Sequence, residues 1–557
     1  VYSLVENIGD GVSNGYTIDY YLSQDQAITI WDYHLGQVRR EGLEPGTQHS
    51  YNTTFQIPPN IPEADYYVGI VVTCQGDTSS ANNSGSDSET LEVIHPPNYV
   101  CGRVTYEYPN YDDQPVRYAM VKIYDSDSER EIGLTYTDLN GNYGVVVLND
   151  DDSTRDIFAR VLSESVSGSY PGTIGKICSV RDDVYEKPYT YKSSDYLHPQ
   201  DSSRTINMIM PVSWRPFMVF DSLVEAFHQA KTFFGIEMQE IAAHWPSADN
   251  GTYYYPPHGI FISRDDEWER DIMLHEYGHY IADVYQFAQG SVGDNGIHTW
   301  DRDLRLWPVN RSPEHAANLA FRESWPTLFS IASQLDDYTY PNSGDTKYQD
   351  YSSYYHWTFQ FDLETDTFDD ESPGEFYESM NCCLLWDIFD DNRDRMYFED
   401  TVSDPNLSRI WAVIRGYRAE DMSDFWVGWH DRYGQDQDIE AVTYLFQEHN
   451  MTFAESGQAP ALPQNNVPVA VAGEDMLVLQ DRTEGALVHL DGSGSNDPDE
   501  DELTYTWRYG YIPYSGAQMD IVLPVGTSEL ELEVTDGEFA SWDTVMITVT
   551  NTSPENW

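Results

Sequence analysis

The apolar period of this chain changes twice, and that change limits its architecture more than any single motif. In Tyr16-Thr-Ile-Asp-Tyr-Tyr-Leu and Tyr66-Tyr-Val-Gly-Ile-Val-Val, apolar side chains recur about every second residue, between clusters of Gly, Asn, Asp and Pro. That is the period of a strand with two unlike faces. From about residue 206 the repeat lengthens, and Leu223, Ala226, Phe227, Ala230, Phe233 and Phe234 fall on one face of a helix. Beyond Pro460, Pro463 and Pro468 the alternation returns, in Met476-Leu-Val-Leu, Leu487-Val-His-Leu and Leu503-Thr-Tyr-Thr-Trp. One core cannot serve both patterns, and 557 residues exceed the roughly 100–200 that a domain organises. The predicted fold class is therefore multidomain: three all-β sandwich modules and one mainly α (α+β) domain. Further helices are predicted around 267–287, 313–335, 374–392 and 422–449.

Composition narrows the partners. The chain carries 94 Asp and Glu against 30 Lys and Arg, a formal charge of -64, which repels nucleic acid and anionic membranes. Disorder is the other outcome of such an excess, but 40% hydrophobic residues and 42 Tyr supply the apolar surface for packed cores. A Lys-poor acidic surface suits a salty or Ca2+-rich medium; an ordinary acidic secreted protein fits the same numbers. No stretch reaches the roughly 18–20 apolar residues of a membrane span. A start at Val1 without a leader reads as a processed or excerpted product, consistent with export. The five cysteines lack zinc spacing, and Cys101 and Cys178 flank one module as the pair placed to bridge, with at least one thiol left over.

The segment with chemistry in it is Asp271-Ile-Met-Leu-His-Glu-Tyr-Gly-His-Tyr-Ile-Ala-Asp283. On a helix, His275 and His279 project from one face and can share a Zn2+ ion, with Glu276 beside the fourth coordination position. A surface helix with two solvated histidines is the plainer reading, but Ile272, Met273, Leu274, Tyr280, Ile281 and Val284 make it apolar, a costly setting for unpaired His and Glu. The candidate third ligand is Glu323 in Asn318-Leu-Ala-Phe-Arg-Glu-Ser-Trp, on one face with Ala316, Ala320 and Thr327. An ordinary ion pair with Arg322 or Arg311 is its alternative. Hydrolysis also needs a donor for the developing oxyanion. His298 is the leading candidate, with Tyr354, Tyr355 and His356 behind it.

Several segments resemble known families. Residues 1–95, through VENIGDGVSNGYTIDYYLSQ and IPEADYYVGIVV, resemble a CARDB-type adhesion module, although almost nothing precedes the Asn7-x-Gly-x-Gly segment where that family has a strand. Residues 99–165, with the turn Thr137-Asp-Leu-Asn-Gly-Asn-Tyr143, resemble carboxypeptidase regulatory-like or CNA-B-like modules. That turn is read either as a plain Asx/Gly turn or as a Ca2+ site. Residues 166–205 are expected to be a connector and 456–466 a linker. Residues 467–551, with PVAVAGED and LDGSGSNDPDEDELTYTW, resemble a PKD-type sandwich. Together these three modules imply Ig-like sandwiches.

Residues 206–455, through LHEYGHYI, Glu323-Ser-Trp, CLLWDIFDDNRDRMYFED and RAEDMSDFWVGWHDRYG, resemble gluzincin peptidases. The resemblance implies a zincin-like domain with His275, His279 and Glu323 as zinc ligands and Glu276 as the general base acting on a metal-bound water. Where relatives carry EGWADF, this chain has Ser324, Pro326 and Thr327 in place of Gly, Ala and Asp. Thr327 is expected to support a ligand His as a weaker, neutral partner, and Pro326 to interrupt the helix. The loop Asp387–Asp400 is read either as a Ca2+ site or as a solvated acidic loop. His258-Gly-Ile-Phe-Ile-Ser-Arg-Asp-Asp resembles the edge strand on which these enzymes align a peptide.

The function implied is an extracellular, secreted or cell-surface zinc endopeptidase acting on protein or peptide. One alternative is a structural fibre or surface-layer subunit whose peptidase-like domain is inactive and which self-assembles through sandwich edges. The other is a glycan-binding or adhesive protein.

Overall fold

The computed structural model describes all residues except 9–15, 29–31, 41, 56, 60, 62, 75–82, 109–112, 149–154, 169–174, 199–202, 248–250, 294–295, 336–345, 353–356, 365–372, 391–406, 455–464 and 552–557. The chain is rich in strands, arranged in several sheets consistent with multiple β-sandwich modules, and has seven α-helices among the described residues. It forms two compact units. One comprises Val1–Glu107, Asp113–Leu162 and Thr190–Pro211, and the other the remainder.

In the first unit, Tyr16–Ser23 lies between Tyr33–Arg40 and Ala64–Cys74, with Ser84–Val93 beyond, all antiparallel. Ile18, Tyr20, Leu22 and Tyr66 are fully buried, as the alternating pattern requires. The short run ahead of Asn7 does form a strand: Tyr2–Glu6 pairs antiparallel with Gln48–Asn52.

Also in this unit, Tyr99–Tyr106 pairs with Asn142–Val146, Gln114–Pro115, Arg204–Thr205 and Met208–Met210. Ala119–Asp125 lies between Glu131–Tyr136 and Arg155–Ser165. The turn after Thr137 takes the Asx form. Asp138 accepts from the N–H groups of Asn140 and Asn142 at 2.9 and 2.8 Å, and its second oxygen accepts from the Asn142 amide at 3.2 Å.

Residues 166–205, expected to be a connector, contain the strands Cys178–Arg181, Thr190–Lys192, Tyr196–His198 and Arg204–Thr205. Runs of two to four residues are too short to display a period.

The second unit holds the helices. Cys178–Arg181, Ile241–His244 and Gly259–Phe261 are parallel neighbours, and Tyr253–Tyr255 pairs antiparallel with Gly259–Phe261. The outermost strand of this described sheet is thus Tyr253–Tyr255, and Gly259–Phe261, within the stretch predicted to be the edge, is interior. Helices α1 (Pro216–Phe234), α2 (Arg270–Tyr285), α3 (Pro313–Ala332), α4 (Glu378–Phe389), α5 (Ser408–Tyr417), α6 (Met422–Tyr433) and α7 (Ile439–Glu448) follow. The predicted helix at 422–449 is two helices, separated at Gly434, and α5 was not foreseen. Pro326 lies inside α3 without ending it.

Within the same unit, Met476–Leu479, Thr504–Tyr509, Ile512–Ser515, Gly526–Thr535 and Ala540–Thr550 make a five-stranded sheet. It shares one core, centred on Trp507, Leu532 and Val545, with the pair Ala486–Asp491 and Gln518–Leu523. Arg415 of α5 reaches this sheet, donating to Glu531 at 2.7 and 3.0 Å and to Glu533 at 3.3 Å.

All five cysteines are free thiols, so the bridge considered between Cys101 and Cys178 is not made. Among the described residues, no helix is long and apolar enough to cross a membrane.

Candidate metal centre

Helix α2 carries the paired histidines and α3 the candidate third ligand. The two helices approach closely because Gly278 has no side chain: a Cβ there would lie 2.6 Å from Cα of Pro326. The indole N–H of Trp325 donates to the carbonyl of Gly278 at 3.3 Å, locking the same crossing.

At this crossing three donors converge. Nε2 of His275 lies 3.3 Å and Nε2 of His279 3.1 Å from Oε2 of Glu323. Metal–ligand bonds of about 2.0–2.1 Å at tetrahedral angles separate donor atoms by roughly 3.3 Å, so this set fits such an ion closely. Glu323, His275 and Glu276 are buried, and His279 nearly so. The Glu323 carboxylate meets His275, His279 and His298, while Arg322 is exposed and Arg311 donates to the carbonyls of Leu304 and Ile297.

A hydrogen bond sets the tautomer of His275. The Thr327 hydroxyl donates to the Glu323 carbonyl at 3.1 Å, so its oxygen accepts from Nδ1–H of His275 at 3.0 Å. Nε2 then keeps its lone pair, directed at Glu323 and His279. Burial pushes the His275 pKa down to about 4, favouring the neutral ring that a metal requires. Burial also acts to lower His279 and to raise Glu323. The mutual attraction of the two outweighs it, leaving His279 raised and Glu323 well below the ordinary carboxylate range.

Glu276 follows His275 directly. Its Oε2 accepts the backbone N–H of Tyr254 at 2.7 Å, and burial is the main cause that pushes its pKa up to about 7. His298 also reaches the centre, with Nε2 3.8 Å from Oε2 of Glu323. Its Nδ1 lies 2.8 Å from Oε1 of Glu378, which fixes the Nε2 edge toward the site. Burial would lower the His298 pKa, but Glu378 and Glu323 outweigh it and push it up to about 10.

Glu378 was not anticipated from the sequence. Its signal was a carboxylate opening the otherwise uncharged Glu378-Ser-Met-Asn-Cys-Cys-Leu-Leu; it is fully buried and needs a partner. Tyr354, Tyr355, His356 and positions 391–400 of the acidic loop lie outside the described residues.

The structure therefore brings His275, His279 and Glu323 together as a group able to hold a metal ion, with Glu276 buried beside them and His298, its side chain 32% exposed, at the rim. No protein-family model and no curated protein matches the chain. Among solved structures, a nucleoside hydrolase-related hypothetical protein from Saccharophagus degradans is 22% identical over 21% of this chain and 32% of its own, at a TM-score of 0.14. A 9R-lipoxygenase from Cyanothece is 14% identical over 27% of each chain, at 0.14. The chain thus spans a third or less of the length of either. The Bacteroides uniformis beta-glucuronidase 2 aligns over 99% of this chain and 74% of its own, but with 8% identity and a TM-score of 0.12. Scores this low carry no argument about fold or function.

Proposed function

We propose that the chain is an extracellular zinc-dependent endopeptidase, its helical region a zincin-like domain carried on Ig-like sandwich modules, with protein or peptide as substrate. The observation that carries this reading is the convergence of His275, His279 and Glu323 at ligand spacing, with Glu276 beside them. A bound zinc ion supplies a Lewis acid that polarises a carbonyl and acidifies water. The chain's own groups do the rest. Glu276, held through one oxygen by the Tyr254 N–H, has its other oxygen free to take a proton from water and return it to the leaving amine. A pKa near 7 suits that exchange. His298, oriented by Glu378, presents Nε2–H to the oxyanion. Thr327 keeps His275 in its ligating tautomer. Ca2+ at the loop Asp387–Asp400 stays part of the proposal as a second bound ion, alongside Ca2+ as an ion of the medium.

The test is metal analysis and proteolysis of the purified full chain. About one zinc at this centre and cleavage of an unfolded protein, abolished by a chelator and restored by zinc, is the expected result. Stoichiometric zinc in freshly metallated protein without any cleavage transfers the chain to the structural-subunit reading.

A further inference from the structure

A second cluster in the same unit has no part in the chemistry above. Strand Ile241–His244 ends beside strand Cys178–Arg181, with His244 opposite Arg181 in register. The turn that follows Arg181 is pinned by Asp182, which accepts from the N–H groups of Val184 and Tyr185 at 2.9 Å each. It presents Asp183 and Glu186 to His244, whose Nδ1 lies 3.9 Å from Oδ1 of Asp183 and 3.5 Å from Oε1 of Glu186.

The His244 side chain is only 8% exposed. Its Nε2 lies 3.0 Å from the carbonyl oxygen of His258, which can only accept, so Nε2 carries the proton. In the neutral ring Nδ1 is then a bare lone pair, and it is a buried atom without a hydrogen-bond partner. The buried, bare Nδ1 lone pair thus faces a carboxylate oxygen of each acid, an arrangement that a cation at that point relieves.

We propose that Asp183, Glu186 and His244 form a second binding site, for a divalent transition-metal ion of the zinc type. An imidazole nitrogen with two carboxylates favours such an ion over Ca2+ or Mg2+, which prefer all-oxygen shells. Glu186 is 57% exposed, so water completes the coordination and the ion exchanges with solvent. The ion fastens the turn to the sheet. The His244 ring stacks on Phe261 at 4.6 Å, and Phe261 pairs with Tyr253, the neighbour of the residue that holds Glu276. The site's role is structural, and its occupancy is independent of the catalytic reading.

The experiment strips the full chain of metal and titrates it with Zn2+ alone. The unaltered chain binds two ions, and the H275A/H279A variant retains one. Adding Glu186→Gln, at a largely solvated position, weakens that remaining ion tenfold or more, and adding His244→Ala abolishes it. In the unaltered chain His244→Ala takes the zinc count from two to one. Zinc raises the thermal midpoint of H275A/H279A, raises it less in the same variant with Glu186→Gln, and leaves it unmoved in the same variant with His244→Ala. The proposal is overturned if folded H275A/H279A binds no zinc, if its affinity is unmoved by Glu186→Gln, or if it takes Ca2+ and not Zn2+. In the first case His244 is an imidazolium paired with the two carboxylates.

Discussion

The Thr327 hydroxyl oxygen stands 3.0 Å from Nδ1 of His275, between that ring and the Glu323 carbonyl to which it donates. Replacing it by Val keeps the shape and removes the acceptor. Zinc affinity of Thr327→Val, measured by competition with a chromophoric chelator, is expected to fall about 10–100-fold, the usual effect of losing such a support. Thr327→Asp, with a charged acceptor, is expected to bind at least as tightly as the parent. Unchanged affinity in Thr327→Val would remove this bond from the account of the site.

Glu276 is not a ligand in this geometry, so Glu276→Gln separates binding from turnover. Zinc content should stay at the parent value while cleavage falls by about 10²–10⁴-fold, the contribution of a general base. Loss of zinc along with activity would show that Glu276 helps to hold the metal.

His298 and Glu378 act in series. His298→Ala is expected to lower kcat by about 10²–10³-fold, as loss of an oxyanion donor does, with KM and zinc content little changed. Glu378→Gln, which still accepts a hydrogen bond from the ring, should lose less. A matching rise in KM would instead make the pair part of substrate binding.

At the helix crossing, Gly278→Ala puts a methyl group 2.6 Å from Cα of Pro326. Backbone cannot yield as a flexible side chain does, and overpacking of this kind costs about 1–3 kcal/mol. Chemical denaturation of metal-free protein should show that loss. A stability equal to the parent would mean that α2 and α3 separate freely.

Glu533 supplies a pH dependence away from the metal. Burial acts to raise its pKa, but Arg508 and Arg415 outweigh it and hold the carboxyl below its ordinary value. The folded state therefore binds this proton less readily than the unfolded state. Its contribution is fully present above the unfolded value of roughly 4.3 and is lost as pH falls through the folded value. The stability difference between the parent and Glu533→Gln should be constant near neutrality and vanish in acid. A difference that grows as pH falls would reverse the sign.

The features legible in the sequence were those written in one stretch of chain. Alternation at Tyr16–Leu22 and the helical repeat through Leu223–Phe234 emerge as a strand and a helix, because each buries one face of its own. His275 and His279 were readable because helical geometry alone places them together. Cys178–Arg181 was not: Cys178, Ser179 and Val180 are all buried, so this interior strand, parallel to one neighbour and antiparallel to the other, shows no alternation. Glu378 was missed because its meaning depends on His298, 80 residues away in the chain. Gly434, by contrast, was an available signal for the break between α6 and α7.

The bond from Tyr254 to Glu276 also determines what the outer strand can offer another chain. Residues 253 and 255 face inward to Phe261 and Gly259, leaving 254 and 256 as the outward positions. The N–H of Tyr254 is taken by Glu276, and position 256 is a proline with no N–H at all. This margin can accept hydrogen bonds but has almost none to donate, so it cannot template a continuous ladder with a neighbouring molecule.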